Sequence, residues 1–179
     1  MHYAIISSKT TGNTGMLTEK VHQALKGFST SKCIFCDSVD NITAEALTAD
    51  RLYIGFWTDQ GQCDKSTQAL LTQLKNKEIF LFGSAGFGMT QAYFDDVLSK
   101  TKEYIDDTNK IIGEFMCQGK MKPVVREKYE AMLKNAEDSN DEKTVKTAKM
   151  LIENFDLAKS HPDMDDLMKL SDKVAKKFY

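Results

Sequence analysis

Five apolar segments of strand length alternate with segments that have helical periodicity, and this alternation limits the possible folds more than any other feature. The apolar segments are residues 3–6, 33–36, 52–57, 79–82 and 111–117. Residues 52–54 and 79–82 are apolar at consecutive positions, which is typical of central strands covered by helices on both faces. Strands that alternate with helices indicate an open parallel sheet. The sequence therefore predicts a doubly wound α/β fold with a five-stranded parallel sheet.

Three segments between these strands have the periodicity of crossover helices. Residues 14–28 place four apolar side chains on one face, namely Leu17, Val21, Leu25 and Phe28. Residues 66–74 and 90–105 repeat this spacing. We expect these helices to cover the two faces of the sheet.

The chain beyond Gly119 differs in character, because charged residues of both signs separate apolar residues that recur at helical intervals. We interpret residues 1–179 as a single domain, with a core of about residues 1–137 and C-terminal helices over about residues 138–179. We expect these helices to pack on the sheet with their charged faces in solvent. They could instead extend a binding site or form an oligomer contact, and the oligomeric state stays open.

Local signals predict where the C-terminal helices begin. Pro123 suits a first helical position, and Ser139 with Glu142 resembles a capping box. Residues 160–163 open a final helix. Its inward side chains are predicted to be Leu167, Leu170, Val174 and Phe178.

Charge and composition exclude several classes of function. The 179 residues carry a formal net charge of −2 and no basic stripe, so nucleic-acid and anionic-membrane binding have no electrostatic basis. No apolar stretch approaches the length of a membrane span. The first residues lead into a strand without the features of an export signal, so we expect a cytoplasmic protein with reduced thiols.

Two of the four cysteines, Cys33 and Cys36, form a C-x-x-C pair. The surrounding segment is predicted to be a strand, in which residues three apart point to opposite faces. We therefore expect no redox pair here. A zinc site is not expected either, since no second pair of ligands has suitable spacing.

A polar segment between the first strand and the first helix, residues 7–14, has the properties of a phosphate-binding loop. Helix N-termini favour anions, and the loop supplies hydroxyl, amide and main-chain N–H donors with Lys9 as its only cation. The spacing matches neither the nucleoside-triphosphate loop nor the dinucleotide loop. The alternative is a helix-capping segment that binds nothing.

Thr11-Gly12-Asn13-Thr14 resembles the flavin mononucleotide (FMN) phosphate loop of flavodoxins, which usually reads Ser/Thr-x-Thr-Gly-x-Thr. In this register Lys9 takes the place of the first Ser/Thr. Three further motifs follow the predicted third, fourth and fifth strands, and Ser160-His161-Pro162 follows near the C-terminus. The strand-exit motifs are G-F-W-x-D-x-G from residue 55, G-S-x-G from residue 83 and F-x-C-Q-G-K from residue 115.

Together these motifs resemble short bacterial flavodoxin-like proteins over nearly the whole chain. The resemblance implies strand order 2-1-3-4-5 and one non-covalently bound FMN. It implies a phosphate site at Ser8, Lys9, Thr10, Thr11, Gly12, Asn13 and Thr14. It implies flavin-ring contacts from Trp57, Thr58, Asp59 and Gly61, and contacts with the pyrimidine side from Ser84, Ala85, Gly86, Phe87 and Gly88. The third exit loop adds Cys117, Gln118 and Gly119.

No catalytic residue and no metal ligand is predicted, and Cys63 and Cys117 are expected to have packing roles. Trp57, the only tryptophan, could instead be an apolar plug at the end of the sheet. The near-neutral charge and the lysines at 9, 120 and 122 predict that the reduction potential of the flavin's last reduction step is less negative than in acidic flavodoxins.

Two functions are consistent with such a flavin site. One is an electron carrier or accessory redox protein that serves a partner enzyme or a small-molecule acceptor. The other is an FMN-dependent reductase of a quinone-like or other conjugated molecule. Nothing outside the flavin loops resembles a nicotinamide-binding region, which favours the carrier over a stand-alone oxidoreductase. A partner-binding domain that has lost its flavin is a third possibility.

Overall fold

The apolar segments form the strands of one mainly parallel sheet. The computed structural model describes residues 1–9, 12–28, 30–88 and 90–177. The sheet order is β2-β1-β3-β5-β6, which is order 2-1-3-4-5 for the five predicted strands, as expected. The strands are β1 (His2–Ser7), β2 (Lys32–Ser38), β3 (Arg51–Asp59), β5 (Glu78–Ala85) and β6 (Lys110–Gln118). A sixth strand that was not predicted, β4 (Gln62–Cys63), pairs antiparallel with the end of β3.

Within the described ranges, six α-helices connect or extend these strands. They are α1 (Gly12–Lys26), α2 (Lys65–Leu71), α3 (Gln91–Lys102), α4 (Pro123–Asp138), α5 (Glu142–Ala158) and α6 (Met164–Ala175). Two short 3-10 helices, Val39–Asn41 and Ala46–Thr48, lie between β2 and β3. Among the described residues, no helix is long and apolar enough to span a membrane.

The sheet has an apolar core on each face, as its continuous apolar strands predict. Tyr3 and Ile5 pack with α1 and α6 on one face. Ala4 and Ile6 pack with α2 and α3 on the other. Successive residues of a strand point to opposite faces, so a strand buried on both sides must be apolar throughout.

The C-terminal helices do not all pack on the sheet, which corrects the expectation from sequence. α6 packs on α1 and β6, whereas α4 and α5 pack mainly against each other. α4 buries only Ala136 among its residues, and α5 buries Ala148 and the segment around Asn154. We call α4 and α5 together the helical hairpin. Neither helix contributes a described residue to the two apolar cores of the sheet.

The ends of these helices agree only in part with the sequence signals. Pro123 does occupy the first turn of α4. The predicted capping box at Ser139 is wrong, because Ser139 ends α4 and Asp141 caps α5 through the Thr144 main-chain N–H. Of the side chains predicted to point inward on α6, Leu170 and Val174 are buried and Leu167 is partly buried, while Phe178 lies outside the described residues.

A β-bulge corrects the predicted orientation of Cys33 and Cys36 on opposite faces of the strand. The register pairs Tyr3 with Cys33 and Ile5 with Cys36, and it shifts by one residue between them. Since Tyr3 and Ile5 point to the same face, both cysteines lie on the α1 side of the edge strand β2. The sequence could not show this, because an extra residue in a strand leaves no periodic signal.

We expect Cys36 to react slowly with disulfide reagents although the residue is exposed to solvent. Burial, with Cys33 and Glu19 nearby, raises the pKa of its thiol to about 11. Only the thiolate attacks, so at pH 8 the rate with Ellman's reagent should be about a hundredfold below that of a free cysteine peptide. The rate should rise about tenfold per pH unit up to pH 10. A Cys33→Ser/Cys63→Ser/Cys117→Ser variant isolates Cys36, and a rate independent of pH would contradict this assignment.

Candidate functional site

The carboxyl ends of β1, β3, β5 and β6 bring four loops to one edge of the sheet. Main-chain and side-chain hydrogen bonds join them. Ser8 N donates to Gly55 O (2.8 Å), Thr58 Oγ1 to Ser84 O (3.0 Å) and Gly119 N to Ala85 O (2.9 Å). β1 lies between β2 and β3, where the winding of the sheet reverses, and ligands of such folds bind at this point.

The loop after β1 provides donors without partners. Ser7 and Ser8 are 0% and 7% exposed, and their hydroxyls have no hydrogen-bond partner among the described residues. α1 begins at Gly12, and no acidic residue occupies its first turn. The first N–H groups of a helix have no intrahelical partner, so they are available to an anion. Buried hydroxyls without partners are costly, and an anion would satisfy them.

Two residues of the predicted phosphate site, Thr10 and Thr11, lie outside the described residues. Of the remaining ones, Thr14 is buried in the first turn of α1, and Gly12 is exposed at its start. The structure thus describes Ser8, Lys9 and the beginning of the helix on either side of the gap.

Trp57 stands at the end of β3 with 36% of its surface exposed, so it is not a buried plug. The Lys9 ammonium lies over its indole ring, 5.1 Å from the ring centre. A cation over an indole face is attracted by the ring quadrupole. The loop after β1 and the end of β3 are therefore coupled at an exposed aromatic surface.

The sequence predicted that Asn13 contacts the phosphate, and in the structure its side chain bonds the loop after β6. Its carboxamide donates to Lys120 O (2.9 Å) and accepts from Lys120 N (3.2 Å), so it joins α1 to the loop after β6. Gly119 makes this approach possible, since a Cβ there would lie 2.5 Å from Asn13 Nδ2. The main-chain N–H of Asn13 remains in the first turn of the helix.

The loop after β3 is a tight hairpin to β4. Gln60 and Gly61 both have positive φ, 50° and 82°, as in a type I′ turn. Thr58 and Asp59 are half-buried beside it. The neighbouring Asp64 is buried and caps α2 by accepting from the Thr67 main-chain N–H and hydroxyl (3.2 and 2.9 Å), so its charge serves the helix.

The loop after β5 leaves the sheet gradually. Ser84 and Ala85 are buried within β5, whereas Gly86, Phe87 and Gly88 are half-buried. Phe87 packs edge-to-face on Tyr93 of α3, with ring centres 5.1 Å apart. The aromatic ring of this loop is therefore anchored on α3, and its backbone forms the surface at the edge of the sheet.

The end of β6 is buried. Cys117 is 3% exposed, and burial, with Asp166 and Asp163 nearby, raises the pKa of its thiol well above the usual range. Cys63 is fully buried in the other core, and burial raises the pKa of its thiol to about 11. Both thiols stay protonated at neutral pH, which suits packing.

Sequence reasoning missed two groups of residues near the site. Asn154 of α5 is hydrogen-bonded to Gln118 and to the loop after β5, and a lone asparagine in a polar helix gives no signal of this. His161 bonds Asp166 through Nδ1 (2.6 Å), and its carbonyl accepts from Lys120 N (3.0 Å). The Ser160-His161-Pro162 motif had marked this segment without indicating its contacts.

His161, Asp163 and Asp166 are the described residues whose ligand atoms lie close enough together to hold a metal ion. Their carboxylates already have structural partners. Asp163 and Asp166 form the capping box of α6, and Asp166 also bonds His161.

A cleft of about 530 Å³ lies along the outer edge of β6, between α3 and α6. Its described lining includes Gly88, Gln118 and His161 but neither Trp57 nor residues of the loop after β1. Apolar side chains of Phe94 and Phe115 meet lysines of α6 there. We call the four loops at the carboxyl ends of β1, β3, β5 and β6 the edge site. The cleft borders the edge site from the side and does not cover Trp57.

Comparison with known proteins agrees with this geometry. A family model described as flavodoxin domain matches residues 4–175. A flavodoxin-like domain-containing protein BilS of Clostridium symbiosum is 37% identical, over 93% of this chain and 90% of that protein. A protein of the same description from Clostridioides difficile is 27% identical, over 96% of this chain and 93% of that one.

Solved structures show the same fold. The crystal structure of oxidised flavodoxin 1 from Bacillus cereus has a TM-score of 0.54 and 12% identity, covering 99% of this chain and 97% of that one. Oxidised flavodoxin 2 from the same species has a TM-score of 0.54 and 14% identity, covering 99% and 98%. At these identities the likeness concerns the fold alone.

The contact of Gly119 with Asn13 leads to a prediction that needs no ligand. Gly119→Ala should lower the free energy of unfolding by about 1–3 kcal/mol, because the new methyl group overlaps the Asn13 carboxamide. In an Asn13→Ala background the same change should cost less than half as much, since the overlap is removed. Urea unfolding of the four proteins measures this coupling. Strictly additive effects would show that the two positions do not interact.

Proposed function

Because this chain belongs to the flavodoxin domain family, we propose that it binds one FMN non-covalently at the edge site and transfers electrons. The observation that carries the proposal is the pair of buried serine hydroxyls at the end of β1, Ser7 and Ser8, which have no partner among the described residues and precede α1 in the chain. These neutral donors suit a phosphate monoester. Ser8, Lys9, Thr14 and the first N–H groups of α1 would hold it, with Thr10 and Thr11 in the same loop.

The other loops at the edge suit a flat, partly polar ring. Trp57 offers an exposed indole face, and Thr58, Asp59 and Gly61 lie beside it. On the other side the backbone of residues 84–88 offers donors and acceptors to the polar edge of a ring. Aromatic stacking combined with a few fixed polar contacts is the usual composition of a cofactor site.

A bound flavin supplies the redox chemistry itself, and the protein tunes its potential through contacts and charge. The Lys9 ammonium lies 5.1 Å from the centre of the Trp57 indole ring. Asp64 would contribute little, because its carboxylate is held in the cap of α2. Lys9 would therefore favour a reduced, anionic flavin.

We favour an electron carrier or accessory redox protein, with a partner protein or a small-molecule acceptor, over a stand-alone reductase. In support, Trp57 is exposed, and the cleft along β6 lies beside the proposed ring position. A carrier needs an accessible flavin edge, whereas a reductase needs a cavity over the ring. The four free cysteines suit a reducing compartment, which agrees with the cytoplasmic setting that we propose.

Binding of FMN and riboflavin to the same protein tests the site. We expect both flavins to quench Trp57 fluorescence. Ser8→Ala should weaken FMN about tenfold and leave riboflavin unchanged, because only FMN has the phosphate that the hydroxyl would bind. Ser31→Ala is the matched control, since the Ser31 hydroxyl bonds Phe28 O far from the edge. If the wild-type protein binds neither flavin, the proposed function is wrong.

Anaerobic reduction of the FMN-loaded protein distinguishes carrier from reductase. A carrier should take up its two electrons one at a time, with a long-lived paramagnetic species detectable by EPR. Uptake in a single two-electron step, together with fast turnover of a quinone, would favour the reductase instead.

The charge of Lys9 gives a further prediction. Lys9→Gln should make the potential of the last reduction step of bound FMN more negative by tens of millivolts, because a nearby positive charge that favours the anionic form is lost. Lys26→Gln, at the opposite end of α1, should change it little. The measurement is a potentiometric titration at low ionic strength. Equal potentials for wild type and Lys9→Gln would show that Lys9 does not act on the ring.

A further inference from the structure

A buried polar network joins the helical hairpin to the loop after β5. Asn154 of α5 is 0% exposed, and its Nδ2 donates to Gly86 O over 3.2 Å. Gln118 Nε2 donates to the same carbonyl (3.1 Å) and to Asn154 Oδ1 (3.0 Å). One main-chain carbonyl of the loop is thus held by two side-chain amides.

The network holds the carbonyl of the first residue beyond β5. Gly86 follows the last residue of β5, Ala85, whose carbonyl still accepts from Gly119 N. Beyond that point the sheet no longer fixes the backbone, so the orientation of the Gly86 peptide depends on Gln118 and Asn154. Both amides come from other elements, β6 and α5.

We propose that Asn154 is a positioning residue for the flavin ring, through which the helical hairpin forms an outer layer of the cofactor site. This inference rests on the proposed function. By holding Gly86 O, Asn154 fixes the peptide groups of residues 86–88 that would face the pyrimidine side of the ring. The hairpin then extends the site instead of covering the sheet.

An apolar residue would serve equally well if position 154 only attached the hairpin. Burying an amide is unfavourable unless each of its groups is hydrogen-bonded. Here the donor and the acceptor of Asn154 both have partners, Gly86 O in the loop after β5 and Gln118 at the end of β6. The pattern of satisfied bonds therefore points to control of loop geometry.

Asn154→Leu is the first test, because leucine has the same branching and the same number of side-chain heavy atoms while both hydrogen bonds are lost. We expect riboflavin and FMN to bind more weakly by the same factor, about three- to tenfold, as for loss of one such hydrogen bond. The equal factor is diagnostic, since a loop that contacts the ring does not distinguish the two flavins. Ser8→Ala, in contrast, should affect FMN alone.

The potential of bound FMN is the second readout. Asn154→Leu should shift it at saturating FMN, and amide hydrogen exchange should become faster at residues 86–88. Glu153→Gln, an exposed neighbour on α5, is the matched control and should alter neither. Asn154→Ala removes both hydrogen-bonding groups without adding a charge, so it should reproduce the effect if the leucine variant does not fold.

The outcomes separate the two proposals. A wild-type protein that binds no flavin overturns the proposed function and this inference with it. A wild-type protein that binds FMN, with folded Asn154 variants of unchanged flavin affinity and potential, overturns this inference alone. Weaker FMN binding with unchanged riboflavin binding would also contradict it, since that would place the effect at the phosphate.

Discussion

The parallel pairing of β1 with β3 is the interaction on which the rest of the site depends. The ladder continues one residue past β1 through the hydrogen bond from Ser8 N to Gly55 O. This bond sets where the chain leaves the sheet, and α1 begins a few residues later at Gly12. Both strands are buried on both faces, so a slip of register would move every side chain of one strand into the wrong core. The point at which the chain leaves β1 is therefore as firmly fixed as the sheet.

Around this fixed point the other loops are joined by polar contacts instead of apolar packing. The Asn13 carboxamide joins α1 to Lys120, and Asn154 with Gln118 joins α5 to Gly86. Such bonds contribute modestly to stability, but leaving one partner unsatisfied is costly. They favour a single arrangement of the loops. The hydroxyls of Ser7 and Ser8, which have no partner in the part of the chain that the structure describes, are where a ligand would complete the network.

The sequence signals succeeded where a local pattern and its tertiary result coincide, and failed where another element intervened. The continuous apolar segments predicted the five parallel strands, and the family resemblance predicted their order. The bulge opposite Tyr3 placed Cys33 and Cys36 on one face, against the simple alternation of a strand. Ser139 has a side chain suited to a helix N-cap. Because α4 continues as far as Asp138, Ser139 ends that helix and Asp141 caps α5.

The amino-acid sequence alone predicts the doubly wound sheet, the helix after the first strand and the polar character of each strand exit. These follow from hydrophobic periodicity and from short-range backbone preferences, which act within a few residues. The folded structure was needed to show that Asn13 bonds Lys120, that the Lys9 ammonium lies over Trp57, and that Asn154 reaches Gly86. These contacts join residues distant in the chain, and a single polar side chain carries no periodic signal of its distant partner. Their geometry depends on the packing of whole elements, which is why the helical hairpin could be recognised as helices but not as part of the site.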